Sequence, residues 1–98
     1  MRDFEGKVAI VTGAGSGFGR EFARIGARLG MKLVLGDIQR DALDATVAEV
    51  QGQGAEVVGL VGDVSRAADV QALADAAMER FGAVHLVFNN AGVGGAGG

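Results

Sequence analysis

The glycine-rich segment from Thr12 to Gly19 is the part of the sequence best suited to chemistry. It lies between an apolar run, Val8 to Val11, and an amphipathic stretch, Phe18 to Leu29, so that a strand enters a helix through a turn with few side chains. An anionic group can approach the backbone closely at such a turn, and the start of a helix supplies unpaired N–H donors with roughly half a positive charge. The segment therefore predicts a phosphate-binding turn.

The glycines of this segment follow the pattern T-G-x-x-x-G-x-G, formed by Thr12, Gly13, Gly17 and Gly19. We expect Gly13 to permit the tight turn, Gly17 to let phosphates come close, and Gly19 to let the helix pack closely on the strand. The more common pattern G-x-G-x-x-G does not match, because Phe18 occupies its third glycine position. An ordinary strand-to-helix turn remains the alternative in a chain with 18 glycines.

Asp37 follows the second predicted strand, Lys32 to Gly36, and lies 20 residues after Gly17. A carboxylate at this place accepts hydrogen bonds from the adenosine ribose hydroxyls of NAD, whereas the 2′-phosphate of NADP would meet like charge. Ser16 stands where a basic residue would favour NADP, so both positions predict NAD in preference to NADP. Arg40 lies close enough to complicate that choice, and a helix N-cap or loop acid is the alternative role for Asp37.

Strand and helix patterns alternate along the whole chain, which is typical of right-handed βαβ units in a parallel sheet. The sequence therefore predicts an α/β fold with a doubly wound parallel sheet of four strands in the order 3-2-1-4 and three helices. The first two helices should cover one face of the sheet and the third the other. The remaining predicted elements are a first strand over Lys7 to Val11, a helix over about Asp41 to Gln51, and strands over Glu56 to Gly62 and Val84 to Phe88.

Large apolar residues at helical spacing predict the inner face of each helix. Ser65 is the expected N-cap of the third helix, and Gly82 is expected to end it. The predicted inner residues are Phe18, Phe22, Ile25 and Leu29 in the first helix, Leu43, Val47 and Val50 in the second, and Val70, Leu73, Ala77 and Phe81 in the third.

Composition excludes several classes of function. Nine scattered Lys and Arg against twelve acids, a net charge of -3, give no basic footprint for nucleic acid. The chain has one histidine and no cysteine, so neither a disulfide framework nor a transition-metal site is expected. No apolar run approaches the length of a membrane span, and the charged segment Met1 to Lys7 does not resemble a signal peptide, which predicts a cytoplasmic protein without membrane contact.

Four motifs occur in one order: Thr12 to Gly19, Asp37, Asp63-Val64 and Asn89 to Gly92. Together they resemble the short-chain dehydrogenases/reductases over Gly6 to Gly92, although an ordinary turn remains the alternative for Asn89-Asn90. The resemblance implies a Rossmann-like fold that binds a dinucleotide, with NAD as the expected cofactor. The cofactor-binding residues that it implies, taken with the patterns above, are Gly13, Gly15, Ser16, Gly17, Phe18, Gly19, Asp37, Asp63, Val64, Asn90, Ala91 and Gly92.

The resemblance also implies individual roles. The Asp63 carboxylate and the Val64 amide would hold the adenine, and Asn90 to Gly92 would pass beside a cofactor ribose. Thr12 and Asn89 would tie the first strand to the fourth. Two residues depart from the family pattern. A smaller aliphatic is usual at Phe18, which should alter packing only. An acid is frequent at His85, which we expect to be a surface residue or one with satisfied hydrogen bonds rather than a catalytic one.

The family places its catalytic serine and its Tyr-x-x-x-Lys pair later than this chain reaches, and the 98 residues contain no tyrosine. The only lysines, Lys7 and Lys32, are not placed for that role. Residues 1–92 are therefore interpreted as the N-terminal NAD-binding half of an oxidoreductase acting on an alcohol or carbonyl, with 93–98 as a flexible glycine-rich tail. No catalytic residue is assigned, and the chain alone is expected to be inactive. The alternatives are a non-catalytic fragment that self-associates or binds a partner through an unpaired sheet edge and an exposed apolar face, and a half-enzyme completed by a separate chain.

Overall fold

The computed structural model of the chain describes residues 3–90, in which strands and helices alternate. Ala91 and Gly92, predicted to contact the cofactor, and the predicted tail 93–98 lie outside the described residues. The strands are β1 (Val8–Thr12), β2 (Lys32–Asp37), β3 (Val57–Val61) and β4 (Leu86–Asn89), and the helices are α1 (Gly17–Arg28), α2 (Arg40–Gly52) and α3 (Ala67–Phe81).

The four described strands form one parallel sheet in the order β3-β2-β1-β4, which confirms the predicted topology. All five residues of β1 are buried, as expected for a central strand covered by helices on both faces. In the register of the sheet, Thr12 at the end of β1 pairs with Gly36 of β2 and Asn89 of β4. The order of strands reverses beside β1, so a crevice opens at the carboxyl ends of the strands.

Two apolar layers enclose the sheet, and they confirm the predicted distribution of the helices. Alternate residues of β1 point to opposite faces. Ala9 and Val11 pack with residues of α1 and α2 in one layer. Val8 and Ile10 pack with Leu73 and the rest of the inner face of α3 in the other.

The predicted inner face of α1 is wrong. Phe18 is 78% exposed, and Ile25 and Leu29 are 41% and 46% exposed. The helix packs instead through a neighbouring row of small residues, Gly19, Ala23, Gly26 and Ala27, all of which are buried.

Close approach of α1 to the sheet explains this difference. A Cβ added at Gly26 would lie 3.1 Å from Leu33 Cδ2, so the helix lies too near β2 to accommodate large side chains on that row. Phe22 is the exception among the predicted residues, since its ring stacks on Phe88 of β4 with 4.4 Å between centroids.

The prediction for α3 is right in part. Leu73 and Ala77 are buried as expected, but Val70, one turn nearer to the helix start, is 45% exposed. The N-cap of the helix is Arg66 rather than Ser65. Gly82 ends the helix in the left-handed conformation, with φ 77°, as expected for a glycine just past a helix.

Candidate nucleotide-binding cleft

A cleft of about 540 Å³ opens at the carboxyl ends of the strands. Gly15 and Gly19, which the sequence analysis also selected, do not line it, and the selected Ala91 and Gly92 lie outside residues 3–90. The other residues selected from the sequence all line the cleft: Gly13, Ser16, Gly17, Phe18, Asp37, Asp63, Val64 and Asn90.

The glycine turn has the backbone that its sequence predicts. Gly13 and Gly17 have φ of 63° and 58°, a left-handed conformation that is strongly disfavoured for residues other than glycine. A Cβ added at Gly19 would lie 2.1 Å from the carbonyl oxygen of Gly13, so only glycine allows α1 to begin this close to β1. At Gly17 an added Cβ would meet nothing within 4 Å. The turn is therefore tightly packed at Gly19, against the end of β1, and has an open front at Gly17.

The start of α1 presents donors to this open side. Ser16 is the N-cap, with extended backbone, and its side chain makes no capping bond to the residues that the structure describes. The N–H groups of the first helical turn lack partners within the helix, except that Arg20 donates to the Ser16 carbonyl at 3.3 Å. With the positive end of the helix dipole behind them, these donors suit an anionic group in the cleft.

Asp37 lies at the end of β2 and faces the glycine turn. Its Oδ2 accepts the N–H of Gly15 at 2.8 Å, and its Oδ1 accepts the N–H of Gln39 at 2.8 Å. An ionised carboxylate has about four acceptor positions, so these two bonds leave capacity for hydroxyl donors in the cleft. The local bond to Gln39 shows that Asp37 also has the loop role considered as its alternative.

Gly15 lies behind the cleft, against the start of α2. A Cβ added there would lie 2.7 Å from Ala42 Cβ and 2.9 Å from Asp37 Oδ2. The glycine therefore lets the turn, the acid and α2 come together. A packing role of this kind has no signal in the sequence pattern, because Ala42 lies in an ordinary helical segment.

Asp63 and Val64 form the side of the cleft between β3 and α3. The N–H of Ser65 donates to Asp63 Oδ1 at 2.9 Å. Hydrogen bonds from the backbone and hydroxyl of Ser65, together with the positive charge of Arg66, hold the pKa of the Asp63 carboxyl below its ordinary value. The side chain is therefore ionised at neutral pH and available as an acceptor.

Asn90 closes the cleft beside the glycine turn. Its backbone N–H donates to Thr12 Oγ1 at 3.1 Å, and its side-chain Nδ2 donates to the Gly13 carbonyl at 3.4 Å. The Thr12 hydroxyl in turn donates to Asn89 Oδ1 at 2.7 Å. These bonds tie β1 to β4 as the sequence analysis expected of Thr12 and Asn89.

Several lining residues were missed by the sequence analysis. Most of them are apolar or small, and the side chains of Ile38 and Val61 are 61% and 42% exposed. Their signal was available in part, because Ile38 follows Asp37 and the end of the predicted third strand must reach the same edge of the sheet. The missed residues are Gly36, Ile38, Leu60, Val61, Gly62, Asp69, Ala72 and Leu73.

His85 is exposed at the surface and hydrogen-bonded, as expected from the sequence. Its Nδ1 accepts the N–H of Val8 at 2.9 Å, and its own N–H donates to the Val8 carbonyl at 2.9 Å. Both contacts are at the amino end of β1, whereas the cleft lies at the carboxyl end of the strand.

Across residues 3–90, none of the helices combines the length and hydropathy that crossing a bilayer requires.

Comparisons with known proteins give close relatives of this fold and cleft. A short chain dehydrogenase/reductase from Burkholderia phymatum, solved in complex with NAD, has 62% sequence identity and a TM-score of 0.85 over 89% of this chain and 31% of that one. The CLA biosynthesis dehydrogenase/reductase of Lactiplantibacillus plantarum is 42% identical over 93 residues, 95% of this chain and 32% of that protein. The 7alpha-hydroxysteroid dehydrogenase of Escherichia coli (strain K12) is 41% identical over 91 residues, 93% of this chain and 36% of that protein.

The chain thus spans about a third of the length of the relatives that it matches. The model of the family described as short chain dehydrogenase matches residues 7–98, nearly the whole chain. With its parallel sheet and glycine turn, the chain belongs to the short chain dehydrogenase family.

Proposed function

We propose that the chain binds NAD, in preference to NADP, as the cofactor-binding part of an oxidoreductase that transfers hydride between NAD(H) and an alcohol or carbonyl. One observation carries the proposal: the open front of the glycine turn at Gly17 and the carboxylate of Asp37 face the same cleft. A relative with 62% identity that was solved in complex with NAD supports it.

The residues of the cleft divide the binding between them. N–H groups at the start of α1, around Gly17 and Phe18, would hold the pyrophosphate. Asp37 would accept the adenosine ribose hydroxyls, and Asp63 and Val64 would contact the base. Asn90, together with Ala91 and Gly92, would pass beside a ribose of the cofactor. When bound, the cofactor supplies a nicotinamide ring that accepts or donates hydride.

The charge of the cleft favours NAD over NADP. Among the described lining residues there are three acids, Asp37, Asp63 and Asp69, and no lysine or arginine. A second phosphate on the adenosine ribose would gain no cation there and would approach the Asp37 carboxylate. Binding of the pyrophosphate, which both cofactors contain, would depend on backbone N–H donors instead of cations.

Binding without turnover is the second part of the proposal. Hydride transfer to a carbonyl needs a positioned proton donor, and the 98 residues contain no tyrosine. Lys7 and Lys32 lie at the amino ends of β1 and β2, at the edge of the sheet opposite to the cleft. The oxidoreductase activity therefore belongs to the proposed longer parent enzyme.

Titration of NADH by its own fluorescence tests the proposal directly, because the chain has no Trp or Tyr to interfere. We expect saturable but weak NADH binding and weaker NADPH binding. We also expect no steady NADH production when NAD and alcohols are supplied. Equal affinity for NADPH would contradict the preference, and absence of saturable NADH binding would contradict the function. The predicted cytoplasmic location stays a prediction, which cell fractionation tests.

Self-association is a second candidate property, favoured by the surface around β4. This strand pairs with β1 among the described strands, and Val87 is 58% exposed. On α3, the helix that precedes β4 in the chain, Met78 is 54% exposed. The segment from Ala83 to Asn90 contains no Asp, Glu, Lys or Arg, so two copies could meet there without repulsion between fixed charges. We therefore propose a second copy of the chain as the occupant of this edge.

A further inference from the structure

Asp69 is a lining residue of the cleft that the sequence analysis did not select. It lies in the first turn of α3, and its Oδ2 accepts the N–H of Asp63 at 2.9 Å. Asp63 is the residue whose carboxylate the proposed function assigns to the base of the cofactor. The contact therefore links the helix to the side of the cleft that would recognise the base.

The position of Asp69 in α3 is typical of a residue that caps the start of its own helix. The helix begins at Ala67 after the N-cap Arg66, so Asp69 is the third helical residue, from which an acidic side chain commonly reaches back to the N–H of the N-cap. Here the N–H of Arg66 donates instead to the Asp63 carbonyl at 2.9 Å. The Asp69 carboxylate passes over the N-cap and bonds the residue three positions before it, so it restrains the cleft wall.

Gly62 makes room for this contact. A Cβ added at Gly62 would lie 3.2 Å from Asp69 Cβ, tighter than ordinary van der Waals contact. The N–H of Gly62 donates to the Asp37 carbonyl at 3.1 Å, so the residue before Asp63 is held by the end of β2. The segment between β3 and α3 is thus fixed from two sides at successive residues.

Three polar groups of Asp63 take part in this arrangement. Its N–H donates to Asp69, its carbonyl accepts from Arg66, and its Oδ1 accepts the N–H of Ser65 at 2.9 Å. Loss of the Asp69 carboxylate would release the N–H and let the peptide rotate, while the two local bonds remained. The direction of the Asp63 carboxylate and of the following Val64 amide depends on that peptide.

We infer that Asp69 is a positioning residue that orients Asp63 and Val64 and thereby sets the selectivity of the cleft for the base of its ligand. The inference rests on the proposed function, because it requires a base at this side of the cleft. The backbone hydrogen bond to Asp69 fixes the Asp63 carboxylate before the ligand binds, so that less conformational freedom is lost on binding.

Two dinucleotides that differ only in the base provide the test. NAD carries the 6-amino group of adenine, and its hypoxanthine analogue replaces that donor by oxygen. The affinities of the 98-residue chain for both are measured by calorimetry for wild type, Asp69→Ala and Asp69→Asn, since asparagine keeps an oxygen that can accept the Asp63 N–H. Asp75→Ala, which removes an exposed acid from the same helix, is the matched control. Amide exchange of Asp63 without ligand is measured in parallel.

We expect Asp69→Ala to lower the preference for NAD over the analogue by about fivefold and to accelerate exchange of the Asp63 amide by about tenfold. Asp69→Asn and Asp75→Ala should remain within about twofold of wild type in both measurements. An unchanged preference in Asp69→Ala, when wild type does discriminate, would overturn the inference and leave the proposed function standing. Wild type binding neither dinucleotide would end both.

Discussion

The carboxylate of Asp37 is hydrogen-bonded to the glycine turn, since its Oδ2 accepts the Gly15 N–H at 2.8 Å. The bond joins the end of β2 to the segment between β1 and α1. A side chain selected from the sequence for contact with a ribose is therefore also part of the structure that would hold the phosphates. The two parts of the proposed site are coupled through one acid.

This coupling predicts a large effect of Asp37→Ala. The substitution removes the acceptor for the ribose hydroxyls and for the Gly15 N–H, so NADH affinity should fall by about tenfold to a hundredfold. Asp37→Asn should lose less, because its amide oxygen can still accept one of these bonds. Fluorescence titration of NADH measures both. Asp44→Ala, an exposed acid of α2, is the control, and equal binding by Asp37→Ala and wild type would remove the ribose contact from the proposal.

Gly19 and Gly52 are predicted to respond oppositely to the same added methyl group. A Cβ at Gly19 would lie 2.1 Å from the Gly13 carbonyl oxygen, whereas at Gly52, the last residue of α2, it would meet nothing within 4 Å. Gly19→Ala should lower the free energy of unfolding by more than about 2 kcal/mol, since backbone must move. Gly52→Ala should be neutral or stabilising by up to about 1 kcal/mol.

Urea denaturation followed by circular dichroism measures both glycine variants. Unfolding of Gly19→Ala at the same urea concentration as wild type would contradict the close approach of α1 to β1. The comparison with Gly52→Ala separates this steric effect from the general effect of an alanine on the unfolded chain.

The strand order was predictable from the sequence, whereas the packing of α1 was not. Alternating strand and helix patterns allow few arrangements once crossovers are right-handed. Among these, the order that reverses beside β1 is typical of folds with a glycine-rich turn after the first strand. For α1 the rule that large apolar residues point inward selected Ile25 and Leu29, which are exposed, instead of the adjacent row containing Ala23 and Gly26. Distance between helix and sheet decides which row fits, and this distance is a property of the assembled fold.

The candidate site shows the same division. The sequence analysis selected the residues of the glycine turn and Asp37 because their residue types and spacing match a known binding pattern. Asp69 was not found, because an acid in the first turn of a helix is common and its unusual bond to Asp63 exists only in three dimensions. Sequence pattern selects groups that are proposed to meet a ligand more readily than a group that is proposed to orient them.

Glu49 predicts a pH dependence of stability. This α2 side chain accepts hydrogen bonds from Arg24 and Arg20 of α1, and the bonds, that from Arg24 most strongly, hold its pKa below the ordinary 4.5. A carboxyl with a lowered pKa in the folded state stabilises the fold above its unfolded pKa, and the contribution is lost as pH falls through the folded pKa. The stability difference between wild type and Glu49→Gln should therefore be full at neutral pH and shrink as pH falls below 4.5.

Urea midpoints between pH 3 and pH 7, as approximate limits that bracket carboxyl titration, check this expectation. Glu79→Gln, at an exposed position of α3, is the control. Added salt should reduce the difference caused by Glu49→Gln, since the pair is accessible to solvent. A difference that stays constant across this pH range would show that the ion pairs between α1 and α2 do not contribute.

His85 predicts a stability effect without a binding effect. Its Nδ1 accepts the N–H of Val8, a residue that is 1% exposed, so removal of the ring leaves a buried donor unpaired. His85→Ala should lower the free energy of unfolding by about 1 to 3 kcal/mol. His85→Asn should recover part of this loss, because the asparagine oxygen can replace Nδ1 as acceptor. A fall in NADH affinity at temperatures where His85→Ala remains folded would contradict the separation of this residue from the cleft.

Self-association through β4 is predicted to respond to a charge at Val87. A two-fold interface contains every residue twice, so Val87→Asp would place two carboxylates in an apolar contact and should weaken the dimer by at least about tenfold. Ile25→Asp, a substitution of a similarly apolar residue exposed on α1, should leave association unchanged. Sedimentation velocity over a range of concentrations distinguishes the variants, with circular dichroism as the check that each remains folded. Wild type sedimenting as a monomer at high concentration would refute the interface, because the apolar surface around β4 would then be stable in water without a second copy.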